Sequence, residues 1–288
     1  MSASPWLYQL FKAERTTDGS LDPRLYWTIG TYETEWEGFE YGNMCYGSSM
    51  TADNIIVTNT GNGGLPIAKW TNFRTGLYTS VVTGLKCGIN LRMMRYSDVL
   101  LRAAECENEV NGSTQQAIDW INKVRARAGL GAAATLDMEA IMHERACELC
   151  GEYVRKWDLM RWGNLKEKMV AARDKLDQMS TQEGRAALGI NDSIYFKYAF
   201  DSEVNGWVID RESIYGLHVG ELGAPAEYDE SAGWVKKEIY TSDSEAVLGS
   251  AKYPLFADEE KLESRQYWPI FAVNYLVSPT TLWNDYGY

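Results

Sequence analysis

The chain has 288 residues, 45% hydrophobic and 24% charged, which is enough to bury a core as one large domain or two small ones. Its 28 Lys and Arg against 40 Asp and Glu give a formal charge of -12 with no basic stripe to reverse the sign. Nucleic acid and anionic membrane surfaces are therefore excluded as partners of its bulk charge. No run reaches the roughly 18 consecutive apolar residues of a membrane span, and Met1 to Trp6 shows neither the basic nor the apolar region of a secretion signal.

Residues 1–90 are rich in Gly, Thr, Asn, Tyr and Trp. Short apolar stretches such as Asn54-Ile55-Ile56-Val57 are broken by Gly61-Asn62-Gly63-Gly64, and the segment reads as loops with a few short strands. From Leu91 the texture changes. Tyr96, Val99, Leu100, Ala103 and Ala104 recur at the spacing of one helix face out to about Val110, and Asn111-Gly112 ends the helix. Ser113-Thr114-Gln115-Gln116 fits a capping box with Ser113 as the cap. Ala117, Ile121, Val124 and Ala128 line the helix that follows, and Gly129 stands where a left-handed C-terminal cap is expected. The short connection predicts antiparallel neighbours.

A third helix is predicted from Leu136-Asp137 to Trp162-Gly163, with helical character on to about Met179. Glu144, Arg145, Glu148, Glu152 and Arg155 sit at helical spacings along it, within reach of Arg125 and Arg127 on its neighbour. Two readings stay open: a solvated charged face, or a partly buried network that fixes how the helices cross. After Gly184 the pattern reads as loop to the end, punctuated by Asn205-Gly206, Gly216, Gly220, Gly223 and Gly233. A long irregular stretch is uncommon unless it functions, so residues 190–250 form the candidate binding surface.

The five cysteines, Cys45, Cys87, Cys106, Cys147 and Cys150, are odd in number and unevenly spaced, which argues against a disulfide framework. Cys147-x-x-Cys150 lies inside a helical pattern with no second pair to complete a zinc site, and reads as buried structural cysteine.

The helical block carries three ordered motifs. Met94-Arg95-Tyr96-Ser97-Asp98-Val99-Leu100-Leu101-Arg102-Ala103-Ala104-Glu105 resembles a helix of the SusD/RagB family, with Ser97 at a usual alanine. Gln116 to Leu130 resembles the family's second motif, and Glu144 to Gly163, with Arg155, Asp158-Leu159 and Arg161-Trp162-Gly163, its third. Asp22-Pro23-Arg24-Leu25 upstream, and Trp268-Pro269-Ile270 with Asn284-Asp285-Tyr286-Gly287-Tyr288 downstream, are similar to its flanking elements. One departure stands out. The family usually has glycine after an acidic or aromatic residue just before the third motif's arginine, whereas here Gly151 precedes Glu152-Tyr153-Val154.

The resemblance implies a mainly α fold, with a tetratricopeptide-like helix hairpin and a further helix embedded in a large loop-rich region with a few short strands. It divides the chain into a loop-rich part at 1–90, a helical motif core at 91–180 and a loop-rich part at 181–288, together one SusD/RagB C-terminal domain. Family members are about twice as long, so the chain is expected to correspond to a C-terminal half. The implied role is non-enzymatic: binding a glycan or peptide at the outer-membrane surface for nutrient uptake. The implied partners are a SusC-like TonB-dependent transporter and an oligosaccharide or peptide ligand. Neither cofactor nor metal is implied.

Sugar rings stack on aromatic side chains while their hydroxyls need fixed polar partners. Trp207, Tyr215, Trp234 and Tyr240 fall in the candidate segment beside Asp210, Arg211, Glu212 and Lys236, and are the candidate ligand-binding residues. The alternative is that they pin loops to the body. Trp120, Trp157 and Trp162 lie on motif helices and read as packing residues. An enzyme is the weaker reading, because His143 and His218, the only histidines, lie in no metal spacing and neither a phosphate loop nor a nucleophile elbow is present. A helical-repeat interaction scaffold is the other alternative, but only one helix pair is visible where about three repeats are needed.

Overall fold

The computed structural model describes residues 2–3, 5–29, 65–67, 69, 93–202, 206–238 and 240. Among these the chain is mainly helical, with a small antiparallel sheet. The helices are α1 (Pro5–Ala13), α2 (Pro23–Thr28), α3 (Tyr96–Asn111), α4 (Gln115–Arg127), α5 (Met138–Glu148), α6 (Arg155–Arg161), α7 (Leu165–Met179) and α8 (Gln182–Ala187). The strands are β1 (Ser2–Ala3), which pairs with β2 (Leu65–Pro66), and β3 (Ser193–Asp201), β4 (Gly206–Tyr215) and β5 (Trp234–Glu238), which form a sheet in the order β4-β3-β5.

Helices α3 and α4 form the expected hairpin, but its cap is shifted by one residue. Thr114 is the N-cap, its hydroxyl accepting from the Ala117 N–H at 3.2 Å, while the Ser113 hydroxyl accepts from the Leu136 N–H at 2.7 Å. Gly129 has φ +73°, the left-handed conformation that the sequence predicts. The buried stripe of α3 is also rotated. It comprises Asp98, Leu100, Leu101, Ala104 and Glu105, leaving Tyr96 and Val99 exposed. Reading apolar residues alone misplaced this face because two of its five members are carboxylates.

The predicted third helix is three helices. Gly151 at φ +76° and Tyr153 at φ +64° break it between α5 and α6, and Gly163 at φ +70° ends α6 before α7. Tyr153, beside the departure from the family pattern that the sequence shows, takes a left-handed backbone that glycine suits better. Helix α5 is enclosed on several sides: Ile141, Met142, Glu144, Arg145, Cys147 and Glu148 are all buried. Ile141 faces a core built with Leu101, Ala104, Ala117, Ile121 and Val124. Cys147 faces a second core with Tyr8, Phe11, Leu25, Ile29, Leu176, Met179, Ile194 and Phe196.

The charges of α5 form the buried network, which decides between the two readings above. Glu148 accepts from three arginines of three different elements: Arg24 of α2 at 3.2 Å, Arg95 at the start of α3 at 2.5 Å and Arg127 of α4 at 2.6 Å. Arg145 joins Asp98 of α3 at 3.0 Å to Asp158 of α6 at 2.8 Å. Glu144 pairs with Arg24 at 2.5 Å and Arg125 at 3.3 Å, and Glu105 accepts from Arg161 and from the Trp162 indole at 2.7 Å. Burial alone would raise the Glu148 pKa, but Arg95, Arg127 and Arg24 override it and hold the carboxyl down to about 2. The short Asp22-Pro23-Arg24 element belongs to the same system, since Asp22 caps α2 and Arg24 carries its charge to α5.

Cys147 and Cys150 are buried free thiols, and Cys106 is an exposed one. Burial pushes the Cys147 thiol up and raises Cys150 to about 11, so both behave as small apolar groups. Trp120 packs against the α3–α4 core and Trp162 bonds to Glu105, but Trp157 is 53% exposed and does not pack as predicted. Cys45, Cys87, Asn54 to Val57, Gly61 to Gly64, Trp268 to Ile270 and Asn284 to Tyr288 lie outside the described residues.

Candidate functional site

The segment from residue 190 is built on a sheet, in contrast to the predicted loop texture. Ile194, Phe196, Tyr198 and Phe200 alternate along β3, and Asn205-Gly206 follows, so the period-two pattern and the hairpin dipeptide were both present in the sequence. The glycines and aromatics that suggested loops instead flank and populate strands. Gly216 is one place where glycine is required, because at φ +97° an added Cβ would lie 2.4 Å from the Ser193 carbonyl oxygen.

Alternation gives the sheet two faces. On one, Ile194 and Phe196 enter the core, and the row continues past its edge through Tyr198 to Phe200, with Trp207 opposite Phe200 in register. Phe196 and Tyr198 meet edge to face at 5.5 Å between centroids, and Phe200 and Trp207 at 5.9 Å. These last three rings are open: Tyr198 is 49%, Phe200 56% and Trp207 71% exposed. Edge-to-face contact holds the Phe200 and Trp207 rings in a fixed relation.

The other face carries Ser193, Tyr195 and Lys197, with Glu238, Lys236 and Trp234 as their partners in register on β5. Ser193, Tyr195, Lys236 and Glu238 line one side of a cleft of about 390 Å³. Gln182, Arg185 and Ala186 of α8, the 190–192 segment, Leu222, Gly223 and Tyr240 complete its wall. The Arg185 guanidinium is fully buried, donates to Asp192 at 2.5 Å and to the Met179 carbonyl at 2.9 Å, and lies 4.6 Å from the Tyr240 ring centre. Lys236 pairs with Glu238 at 3.5 Å, and Asn191 donates to the Gly223 carbonyl at 2.7 Å. Tyr195 stands edge-on to Tyr228 at 4.9 Å.

The four predicted ligand residues are thus placed in different surroundings. Trp207 is on the exposed aromatic face. Tyr240 is buried and contributes to the cleft wall. Trp234 is buried beneath the Lys197 ammonium at 4.9 Å, and Tyr215 is half-buried opposite Tyr195 in register. Sequence reasoning missed Tyr198 and Phe200, which strand alternation would have found, and Arg185 and Asn191, whose roles arise only from tertiary packing. Among the described residues no group of three or more His, Cys, Asp or Glu is arranged to hold a metal, and no helix is long and apolar enough to cross a membrane. His143 is half-buried on α5, with Nε2 3.9 Å from the Cys147 sulfur.

Comparison with known proteins gives a family match. A model of the SusD family matches residues 2–275. SusD-like protein P25 of Formosa agariphila is 48% identical over 84 residues, which cover 26% of this chain and 16% of that protein. SusD-like protein P2 of the same organism is 32% identical over 90 residues, covering 27% and 18% respectively. The chain thus matches less than a fifth of the length of these curated relatives. A SusD superfamily protein from Bacteroides vulgatus aligns with a TM-score of 0.44 at 23% identity, over 59% of this chain and 35% of that one. Surface glycan-binding protein A from Bacteroides thetaiotaomicron, in complex with laminarihexaose, aligns with a TM-score of 0.35 at 27% identity, over 50% and 29%.

Proposed function

Since this chain belongs to the SusD family, we propose that it binds a glycan at the cell surface, without turning it over, using the aromatic face of the β3–β4 hairpin. The observation that carries the reading is the exposed row Tyr198, Phe200 and Trp207. Large aromatic rings clustered on one solvent-facing strand pair are unusual for a surface that meets only water. Their flat apolar faces match the C–H faces of pyranose rings, while hydroxyls at the ring edges stay hydrated. The transporter partnership and the outer-membrane location belong to the same proposal. A SusC-like TonB-dependent transporter would receive the captured ligand, and the chain would serve as the surface-exposed partner.

The test is calorimetric titration of the whole chain with a panel of neutral, uronate-containing and sulfated oligosaccharides and of short peptides. The expected result is saturable binding of at least one oligosaccharide, lost in Trp207→Ala and kept in Trp157→Ala, which removes another exposed tryptophan elsewhere on the surface. Binding of peptides alone would move the ligand class, and an unchanged affinity in Trp207→Ala would remove the aromatic face from the site. Release of shortened sugars during incubation would make the protein an enzyme.

A further inference from the structure

We propose that the cleft between α8 and the opposite face of the sheet is a second ligand site, which takes a charge-neutral sugar unit independently of the aromatic row. The choice of a sugar rests on the glycan reading above. The location and the neutrality rest on the cleft alone.

Its volume of about 390 Å³ lies at the low end of the range for small-molecule sites, which suits roughly one or two sugar rings and not a long chain. The wall mixes the hydroxyl and amides of Ser193, Asn191 and Gln182 with the apolar surface of Tyr195, Ile190 and Leu222. That mixture suits a molecule with apolar faces and a hydroxyl rim.

Charge decides the rest. The ionised groups in this lining are Arg185, Asp192, Lys236 and Glu238, two of each sign, and they are already paired with one another. Arg185 is fully enclosed and held by Asp192, a backbone carbonyl and the Tyr240 ring, so it has no freedom to turn toward an entering anion. A carboxylate or sulfate approaching Arg185 would have to displace Asp192 and leave it unpaired in a partly buried place, which is unfavourable. At the open end of the cleft the exposed Lys236 stands beside the Glu238 carboxylate, which repels an anion. A cation would meet carboxylates whose partners are in contact. A neutral ligand meets fixed dipoles and paired ions and displaces only water.

The two sites lie on opposite faces of one sheet, because Tyr195 and Ser193 alternate with Phe196 and Tyr198 along β3. A substitution in one should therefore leave the other unchanged. Ala186 is exposed at the cleft wall and outside both ion pairs, so Ala186→Trp obstructs the space without breaking Arg185–Asp192.

The experiment titrates the whole chain, Ala186→Trp, Trp207→Ala and the double variant with neutral disaccharides and with the same disaccharides carrying a uronate or sulfate. Expected is weak binding of a neutral disaccharide that falls about tenfold or more in Ala186→Trp and is unchanged in Trp207→Ala. The charged forms should bind more weakly than the neutral ones. Equal or tighter binding of the charged forms overturns the neutrality, and disaccharide affinity unaffected by Ala186→Trp overturns the site. Oligosaccharide binding that depends on Trp207 with no Ala186-dependent component sinks this proposal and leaves the glycan reading standing. Absence of any saccharide binding to the whole chain sinks both. Intrinsic fluorescence and thermal melting of Ala186→Trp confirm that the variant is folded, and Leu222→Trp obstructs the cleft from its other side as an independent check.

Discussion

Arg145 and Asp158 form a two-pronged pair in the interior, with Nε donating to Oδ2 at 2.8 Å and Nη2 to Oδ1 at 3.1 Å. The arginine is 1% exposed and the aspartate 3%. The pair spans the break that Gly151 and Tyr153 introduce, fastening α6 back onto α5. Removing Asp158 takes one of the two buried carboxylates that hold Arg145 and leaves Asp98 at 3.0 Å to carry the charge, which costs more than the pair contributes over an apolar equivalent. Asp158→Ala is expected to lower stability by about 2 to 3 kcal/mol, below the full cost of an uncompensated buried charge because Asp98 stays in place, measured by urea denaturation, with Lys168→Ala at an exposed pair changing it by less than about 0.5 kcal/mol.

Acid should loosen the same region. The folded pKa of Glu148 is depressed from 4.5 to about 2, so its contribution is complete above the ordinary value and disappears as pH falls through the folded one. Melting temperature is therefore expected to decline between about pH 4.5 and 2. In Glu148→Gln the starting stability should be lower and the decline over that window shallower. A decline of equal slope in the variant would assign the acid sensitivity to other carboxylates.

Tyr153 offers a gain. Its φ of +64° is unfavourable for any side chain with a Cβ, and the ring is exposed, so replacing it removes no packing. Tyr153→Gly is expected to stabilise by about 1 kcal/mol, the left-handed penalty less the greater entropy lost on folding a glycine. Tyr153→Ala, which keeps the Cβ, should bring no comparable gain. Parallel denaturation curves distinguish the two.

Trp207 and Phe200 are exposed, so their loss should be felt in binding and not in folding. Each alanine substitution is expected to weaken oligosaccharide affinity about tenfold or more while stability stays within about 0.5 kcal/mol. Titration and melting on the same samples test both halves of this expectation.

Thiol chemistry should separate the cysteines by position. Cys106 is exposed and is expected to react quickly with iodoacetamide, while Cys147 and Cys150, buried and held protonated, should react only when the chain unfolds. Mass spectrometry of native and denatured samples reads this directly.

What the sequence determined by itself is the local grammar of the helical block. The spacing of Ala117, Ile121 and Val124, the turn at Asn111-Gly112 and the cap at Gly129 depend on backbone preferences and helical period, and they reappear in place. The hairpin of β3 and β4 was equally legible in its alternation and in Asn205-Gly206, although the surrounding glycines made it read as loop. Tertiary structure decided what became of the charges and the aromatics. Asp98 and Glu105 enter the core because Arg145 and Arg161 come from other helices to meet them. Trp234 and Tyr240 are buried where Trp207 is open, since only Trp207 stands where the sheet runs beyond the core. A residue's period along its own element places it on a face. Whether that face meets solvent, a core or an opposite charge depends on which distant segments pack against it.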